Sequence, residues 1–432
     1  MVQLHRSLQA RHLWGLAVGL VISGEYFGWN YGWSVAGTLG FLVATALVAL
    51  LYTTLVFSFT ELTTAIPDAG GPYAYCHRAF GPGGGFLAGF SATIEFLFAP
   101  PAIAYGLGKY LHRILPFMGV EQAAIAVIII FGLLNLFPIK FSARFEFGIT
   151  ILAVLELLIF IGVAIPHFEW ARFAQDGFVG GWQGILAGIP YAIWFFLAIE
   201  GVAMAAEETV NPERNIPLGY LTGIGTLILL ALGVMLGAGG VGDWKKLSLL
   251  DDPLPEAIAM SLGQSNPWVR IFAVLGLFGL IASLNGILLS ASRQIFAASR
   301  AGLLPVALSR LNRYGAPAQA VCFTTVFGVI AIFSGKTDQL IVLSALGAVS
   351  MYGMVMAALF RLRKSEPHLV RPFRAPLFPW FPAIAFVLSI VSLIAIVVYN
   401  FKLSLIFLSL LTASWLGFVL FSKEPEASLV ED

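Results

Sequence analysis

The chain has 432 residues, of which 59% are hydrophobic and 11% charged. A soluble domain carries roughly 25% charged residues, so this composition points to an integral membrane protein. The formal net charge of +1 argues against a nucleic-acid partner, and two cysteines and six scattered histidines offer neither a disulfide framework nor a metal site.

About 20 mostly apolar residues span a bilayer. In chain order, such segments are predicted at 12–34, 38–60, 85–111, 121–138, 146–166, 185–206, 217–239, 268–298, 318–335, 338–361, 381–399 and 403–421, twelve in all. The first follows His5, Arg6 and Arg11 as a secretory signal would. More lipid-soluble sequence follows it instead of a polar mature domain, so it is expected to be retained as a membrane helix. Of the two cysteines, Cys76 is expected in a loop and Cys322 in an apolar run. No soluble domain, charge run or low-complexity tract interrupts the series, so 1–432 reads as a single membrane domain. Sixteen of the 24 Lys and Arg residues fall on the side of the N-terminus, Lys140, Arg144 and Lys423 among them. That bias places both termini in the cytoplasm of a multi-pass protein of the cytoplasmic membrane.

All seven aspartates fall in loops, at segment ends or in the tail. Glu25, Glu95, Glu156 and Glu200 instead lie inside predicted helices, with Glu61 near the end of the second. A charge in hydrocarbon costs several kcal/mol, so such groups face a cavity or the bundle interior. Glu61 is the exception, expected near the interface as an anchor for the loop after it.

The first and sixth segments read "VISGEYFG" and "FFLAIEGVAMA". Each sets small residues beside a mid-membrane glutamate: Ser23, Gly24 and Glu25 in one, Ala198, Ile199, Glu200 and Gly201 in the other. Glycine weakens a helix by about 1 kcal/mol relative to alanine, and freed backbone groups survive in a membrane only where they line a cavity. Interrupted helices at matching places in two halves point to a substrate site between inverted repeats. The expected fold is therefore all-α, with helices 1 and 6 broken at mid-membrane. Five helices over 12–166, five more over 185–361, and two extra helices over 381–421 complete it. Glycine is also a common packing contact between membrane helices, and that reading stays open for either site alone.

Three stretches resemble the signatures of the amino acid–polyamine–organocation transporter superfamily: "FSFTELTTAIPDAGGPYAYCHRAFGP" (57–82), "AIEGVAMAAEETVNPERNIP" (198–217) and "LNGILLSASRQIFAASRAGLLP" (284–305). Within it, the stretch from Gly19 to Gly32 looks most like the ethanolamine permease group. The resemblance implies a five-plus-five inverted repeat, alternating access, and coupling to protons, sodium or exchange. In the family's amino acid carriers a glycine-rich first break receives the substrate carboxylate on bare N–H groups. Here Glu25 stands where the second glycine is expected, and a carboxylate there repels an acid and attracts an ammonium. Glu95 matches a third-helix region that often faces substrate, and Glu200 a position where an acid is not rare. Glu156 stands where many proton-coupled relatives carry a lysine, which makes it the candidate coupling residue beside a plain structural role.

Tyr26, Phe27, Trp194, Phe195 and Phe196 flank the breaks and are candidates to close over a cation by cation–π contact, or to pack between helices. The expected function is import of a small organic amine, ethanolamine first, with protons as coupling ion. The alternative is an amino acid symporter or exchanger of the same fold. The bilayer is the surrounding partner, nucleic acid is not, no cofactor or metal is expected, and monomer and homodimer are both compatible with the sequence. A membrane protease would need paired membrane aspartates or an H-E-x-x-H helix, and the sequence has neither.

Overall fold

Lipid offers the backbone no hydrogen-bond partner, so each apolar run must satisfy its own N–H and C=O groups by forming a helix. The computed structural model describes residues 6–421 except 69, 138, 301 and 303, with the backbone alone at 139–145 and 421. Lys423 therefore lies outside the described residues, as do the side chains of Lys140 and Arg144.

In chain order the helices are α1 (Ala10–Val21), α2 (Ser23–Tyr26), α3 (Tyr31–Ala65), α4 (Pro72–Ile114), α5 (Val120–Leu134), α6 (Ile139–Ala164), α7 (Trp170–Ala174) and α8 (Gly181–Trp194). They continue with α9 (Pro212–Val241), α10 (Trp244–Leu247), α11 (Pro253–Leu262), α12 (Pro267–Arg300), α13 (Ala318–Ile332), α14 (Thr337–Ser365), α15 (Trp380–Tyr399) and α16 (Phe401–Phe421). A 3-10 segment, Ile199–Glu208, joins α8 to α9. Among the described residues there is no strand, only one isolated bridge between Leu8 and Thr209.

Nine stretches among the described residues are long and apolar enough to cross a membrane, and α5 and α13 are shorter apolar helices. The first predicted segment is divided: α1 and α2 carry it to Tyr26, and residues 31–36 continue it. Gly37, at φ 69° and ψ 175°, then turns the chain into the long remainder of α3. That left-handed conformation suits glycine. The loop before α8 is stitched to the turn, with Leu39 N and Gly40 N donating to Gly177 O at 2.8 and 3.0 Å, and Val179 N to Ala36 O at 2.9 Å. Gly81 divides α4 in the same way, so Pro72–Phe80 precedes the apolar rod that carries Glu95. Cys76, expected in a loop, is buried in that leading part of α4.

The core follows from which helices are enclosed. The apolar window of α14 is 83% buried, as is that of Gly181–Glu208, whereas that of α16 is only 11% buried. α14 lies along α4, α3 along α8, and α1 along α9, while leucines and phenylalanines of α16 stay on the outer surface as lipid-facing residues do. The N-terminal segment is tied to the 3-10 segment through Ser7 N and Leu8 N, both donating to Glu208 O.

Glu61 is fully buried, and the partners described for its carboxylate lie far from it in the chain. Arg363 of α14 donates to it through Nε at 2.8 Å and Nη2 at 2.5 Å, and Arg371 Nε lies 3.3 Å away. Ala375 N donates at 2.7 Å to Glu61 Oε2, the oxygen that also accepts from Arg363 Nη2. The carboxylate straps α3 to α14 and to the segment after it, a link between residues some 300 positions apart that no local pattern announces.

Candidate substrate-binding site

Near each expected break the backbone leaves α-helical geometry. At the first, α2 runs on through Glu25 to Tyr26, and helical geometry is lost only at Phe27, which is extended, and Gly28, at φ 91°. At the second, α8 stops at Trp194, Ala198 is left-handed at φ 76°, and Ile199, Glu200 and Gly201 begin the 3-10 segment. The two breaks touch. A methyl group on Gly24 would collide with the Trp194 carbonyl, and one on Gly201 would lie 2.5 Å from Leu20. Both glycines thus permit close approach of one interrupted helix to the other. Ser23 joins the first break to α12: Ser283 donates its one hydroxyl proton to Leu20 O at 2.6 Å, so Ser23 Oγ is the donor to Ser283 Oγ at 2.7 Å.

The structure brings Glu95 and Glu200 together. Glu95, from α4, lies beside Glu200 and the Ala198 backbone. Tyr352 OH of α14 donates to Glu200 Oε2 at 2.8 Å and meets Tyr52 OH of α3 at 3.1 Å. Tyr220 OH of α9 donates to the Glu200 carbonyl at 3.3 Å, and Ser344 Oγ to the Glu95 carbonyl at 2.7 Å. Glu200 Oε1 and both Glu95 carboxyl oxygens have no hydrogen-bond partner. Two acids packed side by side in a low-dielectric interior repel unless a cation or proton lies with them.

Glu25 stands apart. It is fully buried, both its carboxyl oxygens lack a partner, and it forms no hydrogen bond or ion pair with Glu95 or Glu200. Its backbone carbonyl accepts from Trp29 Nε1 at 3.1 Å. Glu156 sits on the α6 side, where Tyr26 OH donates to its Oε2 at 2.5 Å and its Oε1 is unpartnered. The interior thus carries acids on both flanks of the breaks.

The aromatic candidates divide by contact. Phe27 meets Trp194 edge-on at 6.0 Å, Phe195 stacks on Trp29 at 5.4 Å, and Phe196 tilts against Tyr52 at 5.3 Å beside the carboxyl pair. Tyr26 is held by Glu156 and meets Tyr110 edge-on at 6.3 Å. Tyr52, Tyr352, Tyr220, Ser283 and Ser344 escaped the sequence reading, since an isolated hydroxyl in an apolar run gives no signal until its partner is known.

Outside the membrane spans the acids behave differently. Arg78 Nε and Nη2 bond both oxygens of Glu366, at 2.6–3.1 Å, and hold that carboxyl below its ordinary value. On the opposite face, burial raises Asp252 while Arg113, at 2.7 Å, opposes the shift. Arg113 also reaches Glu256 at 3.4 Å, and Lys109 reaches Asp251 at 3.5 Å. Among the described residues no group of three or more His, Cys, Asp and Glu is placed to hold a metal.

The chain is 30% identical over 401 residues to an uncharacterized transporter of Rhizobium meliloti (strain 1021), covering 90% of this chain and 85% of that one. It is 27% identical over 411 residues to the branched-chain amino acid permease BcaP of Bacillus subtilis (strain 168), covering 88% and 86%. To the human cystine/glutamate transporter it is 28% identical over 426 residues, covering 91% and 78%. The amino acid permease family model matches residues 9–421. With that match, its enclosed apolar helices and its buried acids, the chain belongs to the amino acid permease family and is a multi-pass membrane transporter, not an enzyme.

Proposed function

We propose that this protein imports a small organic amine cation, ethanolamine first, by alternating access. The observation that carries this reading is the set of buried acids near the breaks: among the described residues, Glu25, Glu95 and Glu200 hold five carboxyl oxygens without a hydrogen-bond partner, and none of the three forms an ion pair. An ammonium forms charge-assisted hydrogen bonds with such groups, stronger than neutral ones. A substrate carboxylate would find Glu25 where a bare backbone is needed, and no described Lys or Arg is bonded to any of the three to receive it. Five-plus-five inverted repeats with helices 1 and 6 interrupted, twelve spans in total, and cytoplasmic termini complete the proposal. The Lys and Arg bias supports the orientation, and a cysteine at Glu213 should react with an impermeant reagent only after cells are opened.

The test is binding of ethanolamine and serine, which is ethanolamine bearing a carboxylate. Serine should bind weaker by about 2–5 kcal/mol, the usual cost of mismatching a buried charge pair. Glu25→Gly should narrow the gap and Glu25→Gln should weaken ethanolamine without rescuing serine. Equal binding of both ligands by the unaltered protein overturns the reading.

A second reading has its own support. Relatives of this chain include the branched-chain amino acid permease and the cystine/glutamate transporter, and an amino acid symporter or exchanger of the same fold accounts for the family match equally well. In that case the Glu95–Glu200 pair would receive the α-ammonium and Glu25 would be neutralised by a proton. The serine comparison separates the two.

Protons are the proposed coupling ion, with Glu156 as the coupling candidate nearest the first break. Glu156→Gln should lose pH-dependent accumulation while keeping substrate binding, and strict dependence on sodium would overturn this.

A further inference from the structure

We propose that Glu146 is a second proton-binding site, distinct from the carboxyl pair and from Glu156, sealed between α1 and α12. Glu146 is on α6 and 4% exposed. Its Oε2 accepts from Asn285 Nδ2 of α12 at 3.1 Å. Asn135, capping α5, donates from Nδ2 to Phe131 O at 2.8 Å and to Asn285 Oδ1 at 3.3 Å.

The direction of this chain is fixed by a backbone carbonyl. Phe131 O can only accept, so Asn135 turns its NH₂ inward, Asn285 must offer its oxygen to Asn135, and its NH₂ is left for Glu146. A donor therefore faces the carboxyl where a metal cation would need an oxygen. The other carboxyl oxygen, Oε1, has no hydrogen-bond partner among the described residues. It lies against two helix backbones: a methyl on Gly19 would sit 2.6 Å from it and one on Gly286 3.2 Å from it. Thr150 Oγ1 borders the same Gly19 position at 2.6 Å, and its proton is committed to Gly15 O at 3.2 Å. One amide donor at one oxygen and none described at the other leaves a carboxylate here poorly compensated, and a buried charge without a partner is costly, so the setting suits a carboxylic acid.

No described cation compensates a charge there. α1 presents Gly19, α12 presents Asn285 and Gly286, and the end of α5 presents Asn135; the nearest titratable ring on α1, His12, packs on Phe147 of α6. α9 and α11, which also pack on α6, present no bonded charged group to Glu146. Gly19 lies about two helical turns before the break at Phe27 and Gly28, so movement of the α1–α2 segment away from α12 also lifts Gly19 from Glu146. Water entering between α1 and α12 then takes the proton, the carboxylate keeps the electron pair, and reclosure requires a proton to return.

Two measurements on purified, reconstituted protein test this. Glu146→Gln keeps the size and the acceptor for Asn285, and should remove one protonated-carboxyl C=O band from the infrared spectrum of the substrate-free protein. With one coupled proton, a gradient of about one pH unit supports about tenfold amine accumulation. Glu146→Gln should abolish that accumulation while substrate counterflow persists, and Glu146→Asp should restore part of it. An unchanged infrared spectrum, or full accumulation in Glu146→Gln, overturns the proposal. The transport arm rests on the proton-coupled reading above. Should the unaltered protein show no gradient-driven accumulation, that reading fails and the infrared band alone upholds or overturns Glu146 as a proton site. If Glu156→Gln abolishes accumulation and Glu146→Gln does not, the coupling proton belongs to Glu156 alone.

Discussion

The buried glutamates of the bundle interior and those at its two ends are treated oppositely. At the ends, Glu61 is enclosed by Arg363 and Arg371, Glu208 is paired with Arg293 at 3.0 Å, and Glu256 is shared by Arg113 and Lys246. In the interior, Glu25, Glu95, Glu146, Glu156 and Glu200 each keep at least one oxygen with no partner and none has a described basic neighbour within ion-pair distance. Burial is similar in the two regions, so burial does not separate them. A resident cation does. An acid with its own arginine is a strap, whereas the interior acids have no described basic partner.

The largest expected effect comes from breaking a strap. Glu61→Ala leaves Arg371, only 7% exposed at its side chain, without its main carboxylate. Stripping one partner from a buried ion pair costs about 3–5 kcal/mol, so thermal unfolding in detergent should move down by many degrees. An unfolding temperature near that of the unaltered protein would show that Arg363 and Arg371 find other partners and that the comparison is drawn too sharply.

Interior acids should behave with the opposite sign. Glu95→Gln and Glu200→Gln remove a charge that lacks a cation, so substrate-free stability should stay level or rise. Amine binding should weaken by about 1.5–3 kcal/mol, the worth of a hydrogen bond to a charged group. Calorimetric binding beside thermal unfolding reads both, and a joint loss of stability would class these acids with the straps.

Tyr352→Phe probes the hydroxyl that orients the pair. It leaves Glu200 Oε2 with no donor and Tyr52 without its phenolic partner, costing about 1–3 kcal/mol for the unsatisfied group. The loss should appear in substrate affinity more than in unfolding temperature, and the reverse pattern would make Tyr352 a scaffold residue.

The smallest effect belongs to the exposed Arg78–Glu366 pair. Arg78 lowers the Glu366 carboxyl below 4.5, so the pair's contribution is present above the unfolded value and is lost as pH falls through the lowered one. Side-chain exposures of 43% and 32% keep that contribution small through solvent screening. Arg78→Gln should leave stability at neutral pH nearly unchanged and flatten a slight acid-side decline. A large loss at pH 7 would promote this pair to the class of Glu61.

Much of the candidate site was legible because membrane physics is severe about charge. Glu25, Glu95, Glu156 and Glu200 stand out in apolar runs, and each is buried in the bundle. Glu146 escaped because it opens its predicted segment, where an acid passes for an interfacial residue. Glu61 escaped for the converse reason: its position near a helix end suggested a local anchor, while its partners lie in and beyond α14.

By itself, the sequence determined the all-helical membrane class, the order of the apolar runs and the acids they bury, because a 20-residue apolar run and a charge within it are local properties with large transfer free energies. Tertiary structure alone decided which acids meet. Glu95 with Glu200, Tyr26 with Glu156, and Asn285 with both Asn135 and Glu146 are joined across more than 100 residues of chain. It also decided where the first break falls, at Phe27 and Gly28 instead of Ser23 to Glu25, since Gly24 is held helical against the Trp194 carbonyl. Such pairings follow from how helices pack against one another, and helix periodicity carries no record of the neighbour on the far side.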